Sequence, residues 1–161
     1  MFSADISLLD HRNQPFSLAS WLGSYVVIYV YPKDFTSGCT KEAQQFRDSF
    51  CAFHELNTKV LAISKDSVES HARFSAKHDL PFVLLSDPDL DVISKLGALG
   101  TKNVYGKKVK GVIRTTVLLD PTGHMIESWH KVRVKGHVEQ VLERVRQHRA
   151  TQLHGQTQKP A

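Results

Sequence analysis

An α/β fold, with a central mixed sheet flanked by helices, is what this 161-residue sequence predicts, on three observations. Runs with strand character alternate along the chain with segments of helical period. The run at 25–31, YVVIYVY, is continuous, β-branched and aromatic, as suits a strand covered on both faces. Finally, 41% hydrophobic residues can build a core without disulfide staples, and no run approaches the ~18 apolar residues of a membrane span.

Each element follows from its residues. Pro32 closes the first strand, because it has no N–H to continue a ladder. From Thr40 to His54, Ala43, Phe46, Phe50 and Phe53 recur at helical spacing and predict one helix with a single apolar face. KVLAIS at 59–64 reads as a second buried strand. Asp66 or Ser67 can cap a helix reaching His78, and FVLL at 82–85 follows Pro81 as another strand. SDPDLD at 86–91 opens a short helix, ended by Gly97 and Gly100. Two strands, 112–119 and 125–131, flank DPTG at 120–123, a type I turn sequence, and so predict a hairpin. After Gly136, the spacing of Val138, Val141, Leu142 and Val145 predicts an amphipathic closing helix. TQLHGQTQKPA, after Ala150, has no period and reads as a disordered tail to a single domain at 1–150. The order of elements is that of a thioredoxin-like sandwich, an analogy that fixes no function.

Lys plus Arg number 21 and Asp plus Glu 16, for a net charge of +5. The excess is confined to the C-terminal part: 12 basic and 4 acidic residues over 101–161, against 9 and 12 over 1–100. KKVK at 107–110 and KVRVK at 131–135 suggest a nucleic-acid surface. In KVRVK, however, charges alternate with Val132 and Val134 as in a strand with one face in water, and no aromatic RNA-binding pattern accompanies them. Nucleic-acid binding is therefore not the expected function. The start MFSADISLLDHRNQ lacks the basic and apolar stretches of a secretory signal, which makes the cytoplasm the expected compartment. Two cysteines there do not make a disulfide scaffold, so the question is what two thiols do.

The informative segment is YPKDFTSGCTKEAQQFRD at 31–48. Cys39 falls after a buried strand, past a Pro and a Gly, at the first turn of an amphipathic helix. Free backbone N–H groups and the positive end of the helix dipole favour an anionic sulfur there, and the thiolate is the nucleophile. Thr36 or Ser37 can cap that helix. Arg114 lies in an otherwise uncharged strand, where a cation is costly unless it has a partner or a task. Such a task would be to hold the sulfur anionic and to grip a polar substrate.

These residues resemble a known family. PxxxTxxC, from Pro32 through Thr36 to Cys39, with Arg114 downstream in IRTTVLLD, is similar to the active-site signature of peroxiredoxins. YPKD with GCT, SDPD at 86–89, YGKK at 105–108 and VKGH at 134–137 resemble the bacterioferritin comigratory protein subfamily, also called peroxiredoxin Q. The likeness runs from about Leu8 to Arg146. It implies that the Cys39 thiolate attacks a hydroperoxide and becomes sulfenic acid, with no metal or organic cofactor. Thr36 would hydrogen-bond the thiol or the peroxide oxygen, Arg114 would stabilise the charge developing across the O–O bond, and Pro32 would shield the pocket. Glu42, one helical turn after Cys39, would hold the guanidinium. The implied partners are a hydroperoxide and an external thiol reductant (thioredoxin, glutaredoxin or glutathione), acting on a monomer or weak dimer.

Two departures from the subfamily matter. The second, resolving cysteine often lies five residues after the first, where this chain has Gln44, and Ser37 stands where a proline is typical. Cys51, twelve residues along one helix, would be about 18 Å away, too far for a disulfide that needs Cα atoms within roughly 7 Å. A one-cysteine cycle with Cys51 as a passive, partly buried residue is therefore the expectation; for Cys51 to act as the resolving cysteine instead, the helix would have to unwind or a second molecule supply it. Rival readings fare worse. A thiol–disulfide oxidoreductase wants CxxC, but Thr36 stands where the first thiol would be. A noncatalytic chaperone or binding module on the same fold stays open, since one cysteine is lost. Cys51 with His54 is half a metal site at best. Asp87, Asp89 and Asp91 lack the Gly and Glu of a calcium loop, and GTKNVYGK at 100–107 has the wrong spacing for a phosphate loop.

Overall fold

The computed structural model describes residues 6–158. Its strands are β1 (Ser7–Asp10), β2 (Pro15–Ser17), β3 (Tyr25–Val30), β4 (Thr58–Ser64), β5 (Val83–Ser86), β6 (Leu99–Val104), β7 (Lys107–Val112), β8 (Thr115–Leu119) and β9 (Met125–His130). The helices are α1 (Ser37–Asp48), α2 (Phe50–Glu55), α3 (Val68–His78), α4 (Asp91–Lys95) and α5 (His137–Gln158). Seven strands form one mixed sheet in the order β2-β1-β5-β4-β3-β8-β9, while β6 and β7 make a separate hairpin. β3 runs parallel to β4 and antiparallel to β8, and β4 is parallel to β5. The predicted α/β class with a central mixed sheet is thus the one observed.

β3 sits in the middle of the sheet because its sequence suits two apolar faces at once. Tyr25, Val27 and Tyr29 pack with Phe46 and Ala43 of α1, Phe53 of α2, Phe74 of α3 and Val138, Val141, Leu142 and Val145 of α5. Val26, Ile28 and Val30 point the other way, against Val92, Ile93 and Leu96 around α4. A strand covered on both sides has no polar edge of its period-two pattern to display, hence the unbroken apolar run. Its end therefore sets down Pro32 and the following loop at one fixed place, above the start of α1.

The structure departs from the sequence reading in five places. The single helix expected over 40–54 begins earlier, at Ser37, and breaks at Ser49. Ser49 lies at φ −99°, ψ 4°, a bridge conformation that redirects the chain so that Phe46 and Phe53 both reach the core. The strand expected over 112–119 is interrupted: β7 ends at Val112, β8 starts at Thr115, and Arg114 lies in the gap. KVRVK is not a strand. β9 ends at His130, and Lys131 takes a left-handed φ of 54° that sends Val132 back to donate to the Arg114 carbonyl at 3.0 Å. β1, β2, β6 and all of β7 before Val112 went unread because they are short or exposed and carry little alternation; β6 and β7 turn through Tyr105 and Gly106, both at positive φ, which accounts for the YGKK motif. Lastly, α5 continues past Ala150 to Gln158, against the disordered tail expected from 151, since each added residue gains a backbone hydrogen bond once a helix is running. The last part of that tail, 159–161, lies outside the described residues, as do the first five residues of the chain.

Phe46 is fully buried, stacked on Tyr29 at 4.4 Å between centroids and 6.0 Å from Phe53. Phe46→Ala should cost about 3–5 kcal/mol of stability, read as a lowered denaturant midpoint at unchanged slope.

Candidate active site

Two of the expected residues share one helix. Cys39 is the third residue of α1, so its backbone N–H is among the first four, which have no intrahelical acceptor. Its side chain faces the core and the residue is 1% exposed. Glu42 follows one turn later on the same face and is buried completely. Thr36 holds the N-cap position in an extended conformation, but its hydroxyl does not cap the helix. It donates to the Lys33 carbonyl at 2.9 Å, closing the loop on itself and leaving its oxygen lone pairs unspent. Pro32 is half-buried between β3 and that loop.

Arg114 comes from the gap between β7 and β8, where its backbone is tied down on both sides. Ile113 donates to the Ala98 carbonyl at 2.7 Å and Val132 donates to the carbonyl of Arg114 itself. From there the guanidinium reaches 72 and 75 residues back along the chain: Nη1 donates to Glu42 Oε1 at 2.6 Å and Nη2 to Cys39 Sγ at 3.3 Å. The fork thus bridges a carboxylate and a sulfur, as a planar group with fixed donors can. A buried cation beside the sulfur, together with the free N–H groups of the helix start, stabilises the anion that a nucleophilic attack requires.

Burial dominates the electrostatics. It pushes the Glu42 carboxyl up from an ordinary 4.5 to about 7, even though the Arg114 guanidinium pulls the other way. Arg114 loses hydration, but the charges of Glu42 and the sulfur outweigh that and hold its proton more firmly than usual. Tyr29, on β3, is buried next to this pair, and its phenol is raised well above the usual value by burial, then by the negative charges of Glu42 and Cys39. Tyr29 OH and Glu42 Oε2 are the two buried side-chain polar atoms without a protein partner among the described residues. Behind Arg114, His137 pairs with Thr116 Oγ1 at 2.8 Å; burial lowers its imidazole from 6.5 to about 4.

The structure brings Cys39, Glu42 and Arg114 into contact and leaves Thr36 and Pro32 on the loop leading to them. Cys51 does not join this group. Cys39 and Cys51 are both free thiols, on different helices, one buried and the other exposed rather than partly buried as expected. The exposure comes from the break at Ser49, which turns α2 so that Phe53, not Cys51, faces inward. SDPD has a structural use: Asp87 is buried and accepts from the Ile93 N–H at 2.8 Å inside α4. KKVK lies on exposed β7. Sequence reasoning missed Tyr29, hidden inside an apolar run, and the buried residues around Asp34 and His71 described below.

Two tests follow. Between about pH 4.5 and 7 the folded chain binds a proton at Glu42 that the unfolded chain has shed, so stability falls as pH rises through that window. Between about pH 4 and 6.5 the reverse holds for His137, which is neutral when folded and charged when unfolded, so stability rises with pH. The two trends nearly cancel. Glu42→Gln should unmask stability increasing from pH 4 to 6.5, and His137→Asn stability decreasing from pH 4.5 to 7, each by up to about 3 kcal/mol in denaturant titrations. A side chain on Gly38 would sit 3.2 Å from Arg114 Nη2. Gly38→Ala should therefore displace the guanidinium and slow Cys39 oxidation by about tenfold in stopped-flow traces, with a small change in stability.

Comparison with known proteins agrees with this geometry. Residues 3–128 match the family model described as AhpC/TSA family. A putative peroxiredoxin bcp of Coxiella burnetii is 48% identical over 139 residues, 86% of this chain and 92% of the relative. Peroxiredoxin Bcp of Bacillus subtilis is 40% identical over 139 residues, 86% and 88% of the two chains. A solved structure of Xanthomonas campestris peroxiredoxin Q superposes with a TM-score of 0.86 at 38% identity, covering 91% of this chain and 93% of that one. Another, of the bacterioferritin comigratory protein of that organism, concerns alkyl peroxide reduction and superposes equally well, at 0.86. The fold is thus the thioredoxin-like one of the peroxiredoxins, and the chain belongs to the AhpC/TSA family, as a thiol-dependent peroxidase of the Bcp or peroxiredoxin Q kind.

Proposed function

We propose that Cys39 is the residue through which this chain reduces hydrogen peroxide and small organic hydroperoxides, in a cycle that uses one cysteine. The observation that carries the assignment is the guanidinium of Arg114 shared between Cys39 Sγ and Glu42. In the first half-reaction the Cys39 thiolate attacks the terminal peroxide oxygen. The S–O bond forms as the O–O bond breaks, the leaving alkoxide or hydroxide takes a proton, and Cys39 is left as sulfenic acid with water or alcohol released. Arg114 faces the sulfur and so the charge spreading along the O–O bond; Thr36, with lone pairs unspent, receives a hydrogen bond from the peroxide. Glu42 holds the guanidinium in plane, and Pro32 keeps water off the reacting atoms.

In the second half-reaction an external thiol attacks the sulfenic sulfur and water leaves, giving a mixed disulfide. A second thiol then releases Cys39 and forms the reductant's disulfide. Thioredoxin, glutaredoxin and glutathione all supply such thiols. Cys51 takes no part, being exposed on another helix. We place this chemistry in one domain over 1–150, in the cytoplasm, acting as a monomer or weak dimer. No helix among the described residues is long and apolar enough to cross a membrane. Disulfide exchange is the weaker reading because Thr36 stands where its first cysteine would be, and a noncatalytic binding role would leave the Arg114 bridge without a purpose.

Cys39→Ser should abolish peroxide consumption while the fold survives, and Cys51→Ser should leave turnover with a small-thiol reductant within about twofold. Mass spectrometry after one equivalent of peroxide should find one oxygen on Cys39. A Cys39–Cys51 bond, or a Cys51→Ser variant that stops after a single turnover, would replace the one-cysteine cycle by one with Cys51 as resolver.

A further inference from the structure

Asp34 occupies the middle of the loop that joins β3 to α1, between Pro32 and Thr36, yet it is only 3% exposed. Four hydrogen bonds fix it. Oδ1 accepts from Tyr31 OH at 2.5 Å, and Oδ2 accepts from Ser70 Oγ and faces His71 Nδ1, both at 2.8 Å. Its own N–H donates to Asp66 Oδ2 at 2.9 Å, and that oxygen also takes the Ser64 hydroxyl at 2.6 Å. Two of these partners, Ser70 and His71, belong to α3. The same helix supplies Phe74, whose ring meets Phe35 edge-on at 5.2 Å, and Phe35 is held at a left-handed φ of 67°.

We propose that His71, which touches neither sulfur nor substrate, is a buried imidazolium that positions the loop carrying Pro32 and Thr36, acting through Asp34. The inference rests on the reading of Cys39 as the attacking residue. His71 is fully buried, and its ring lies between two acceptors: the Asp34 carboxylate on Nδ1 and the Leu85 carbonyl, 3.0 Å from Nε2. A carbonyl has no proton to give, so Nε2 carries one. Tyr31 and Ser70 each spend their single hydroxyl proton on Asp34, so the last proton is shared along the Nδ1–Oδ2 line. A carboxylate already accepting two hydroxyl donors is a stabilised anion, which leaves that proton on Nδ1. Burial alone would raise the Asp34 carboxyl, but the hydrogen bond and charge of His71, with Tyr31 and Ser70, bring it below its ordinary value.

The other titratable groups facing His71 are Tyr31 from β3, Asp66 from the turn before α3 and His11 from the turn between β1 and β2. Asp34, Asp66 and His71 gather ligand atoms within 4.8 Å of one another, as a metal trio would. The atoms that face inward are already engaged, however, by Tyr31, Ser64, Ser70, the Asp34 N–H and the Leu85 carbonyl. A proton, not an ion, completes the cluster. Removing one member of a buried ion pair strands the other, so the pair acts as a unit. Its mechanical effect falls on the loop: Lys33, next to Asp34, supplies the carbonyl that orients the Thr36 hydroxyl.

The test uses the reduced full-length chain. With 15N-labelled histidine at pH 7, the His71 ring should give two protonated nitrogens coupled to carbon-bound protons in NMR. A single protonated nitrogen overturns the imidazolium. Asp34→Asn should slow Cys39 oxidation by hydrogen peroxide about 10- to 100-fold, well below the unfolding temperature, while reduction of the sulfenic acid by a small thiol stays within about twofold. An unchanged oxidation rate would make the cluster merely structural and overturn the positioning role. If Asp34→Asn does not fold, Tyr31→Phe, which removes one donor only, should slow oxidation about threefold or more; a wild-type rate there counts against the proposal in the same way. Persistent peroxide turnover by Cys39→Ser would instead overturn the assignment of the attacking residue, whatever the state of His71.

Discussion

One planar cation shared between a sulfur and a carboxylate is the interaction on which the rest of the molecule depends. Arg114 can reach Cys39 and Glu42 together only because two distant chain segments meet edge to edge: the start of α1, set down by β3, and the gap before β8. β3 and β8 are neighbours in the sheet, paired from Val26 with Leu119 to Val30 with Thr115. The loop after β3 and the residues before β8 therefore emerge at the same end of the sheet's strands. An antiparallel pair in the sheet thus does the work of placement. The apolar faces of β3 and α1 need the sulfur to be buried, and the guanidinium makes its burial as an anion tolerable.

Charge at this site is balanced rather than merely positive. The single cation of Arg114 answers both the sulfur and a carboxylate pushed up to about 7 by burial, so the proton on Glu42 is held weakly near neutrality. His137, close behind, stays neutral, because burial and the nearby guanidinium both disfavour a second cation. The outcome is one fixed positive charge beside the sulfur, aimed by its partners, with a Glu42 carboxyl on the other arm of the guanidinium that exchanges its proton near pH 7.

How much of this was written in the sequence depends on the range of each interaction. Cys39, Thr36 and Glu42 were legible because their relation is local: a strand end, a loop and one helical turn. Arg114 was legible as a charge out of place in an apolar run. Its real position, in a break between strands, was not, because the break is made by hydrogen bonds to Ala98 and Val132 that no period reveals. The kink at Ser49 escaped for a similar reason: Phe46 and Phe53 are seven apart, which fits one continuous helix as well as two. Asp34 was visible within YPKD only as part of a motif. Its partner His71 lies 37 residues on, in a helix whose other polar residues look alike, and only the fold joins them.

Cys39 is 1% exposed with the helix intact. The thiol of a protein donor cannot touch an atom so covered while that helix stays wound. On the role proposed for Cys39, turnover therefore runs on two clocks, one chemical and one mechanical. Whenever the donor is a macromolecule, regeneration waits for the opening turn of α1 to come undone, and the free energy that keeps that turn wound becomes a brake on the return stroke.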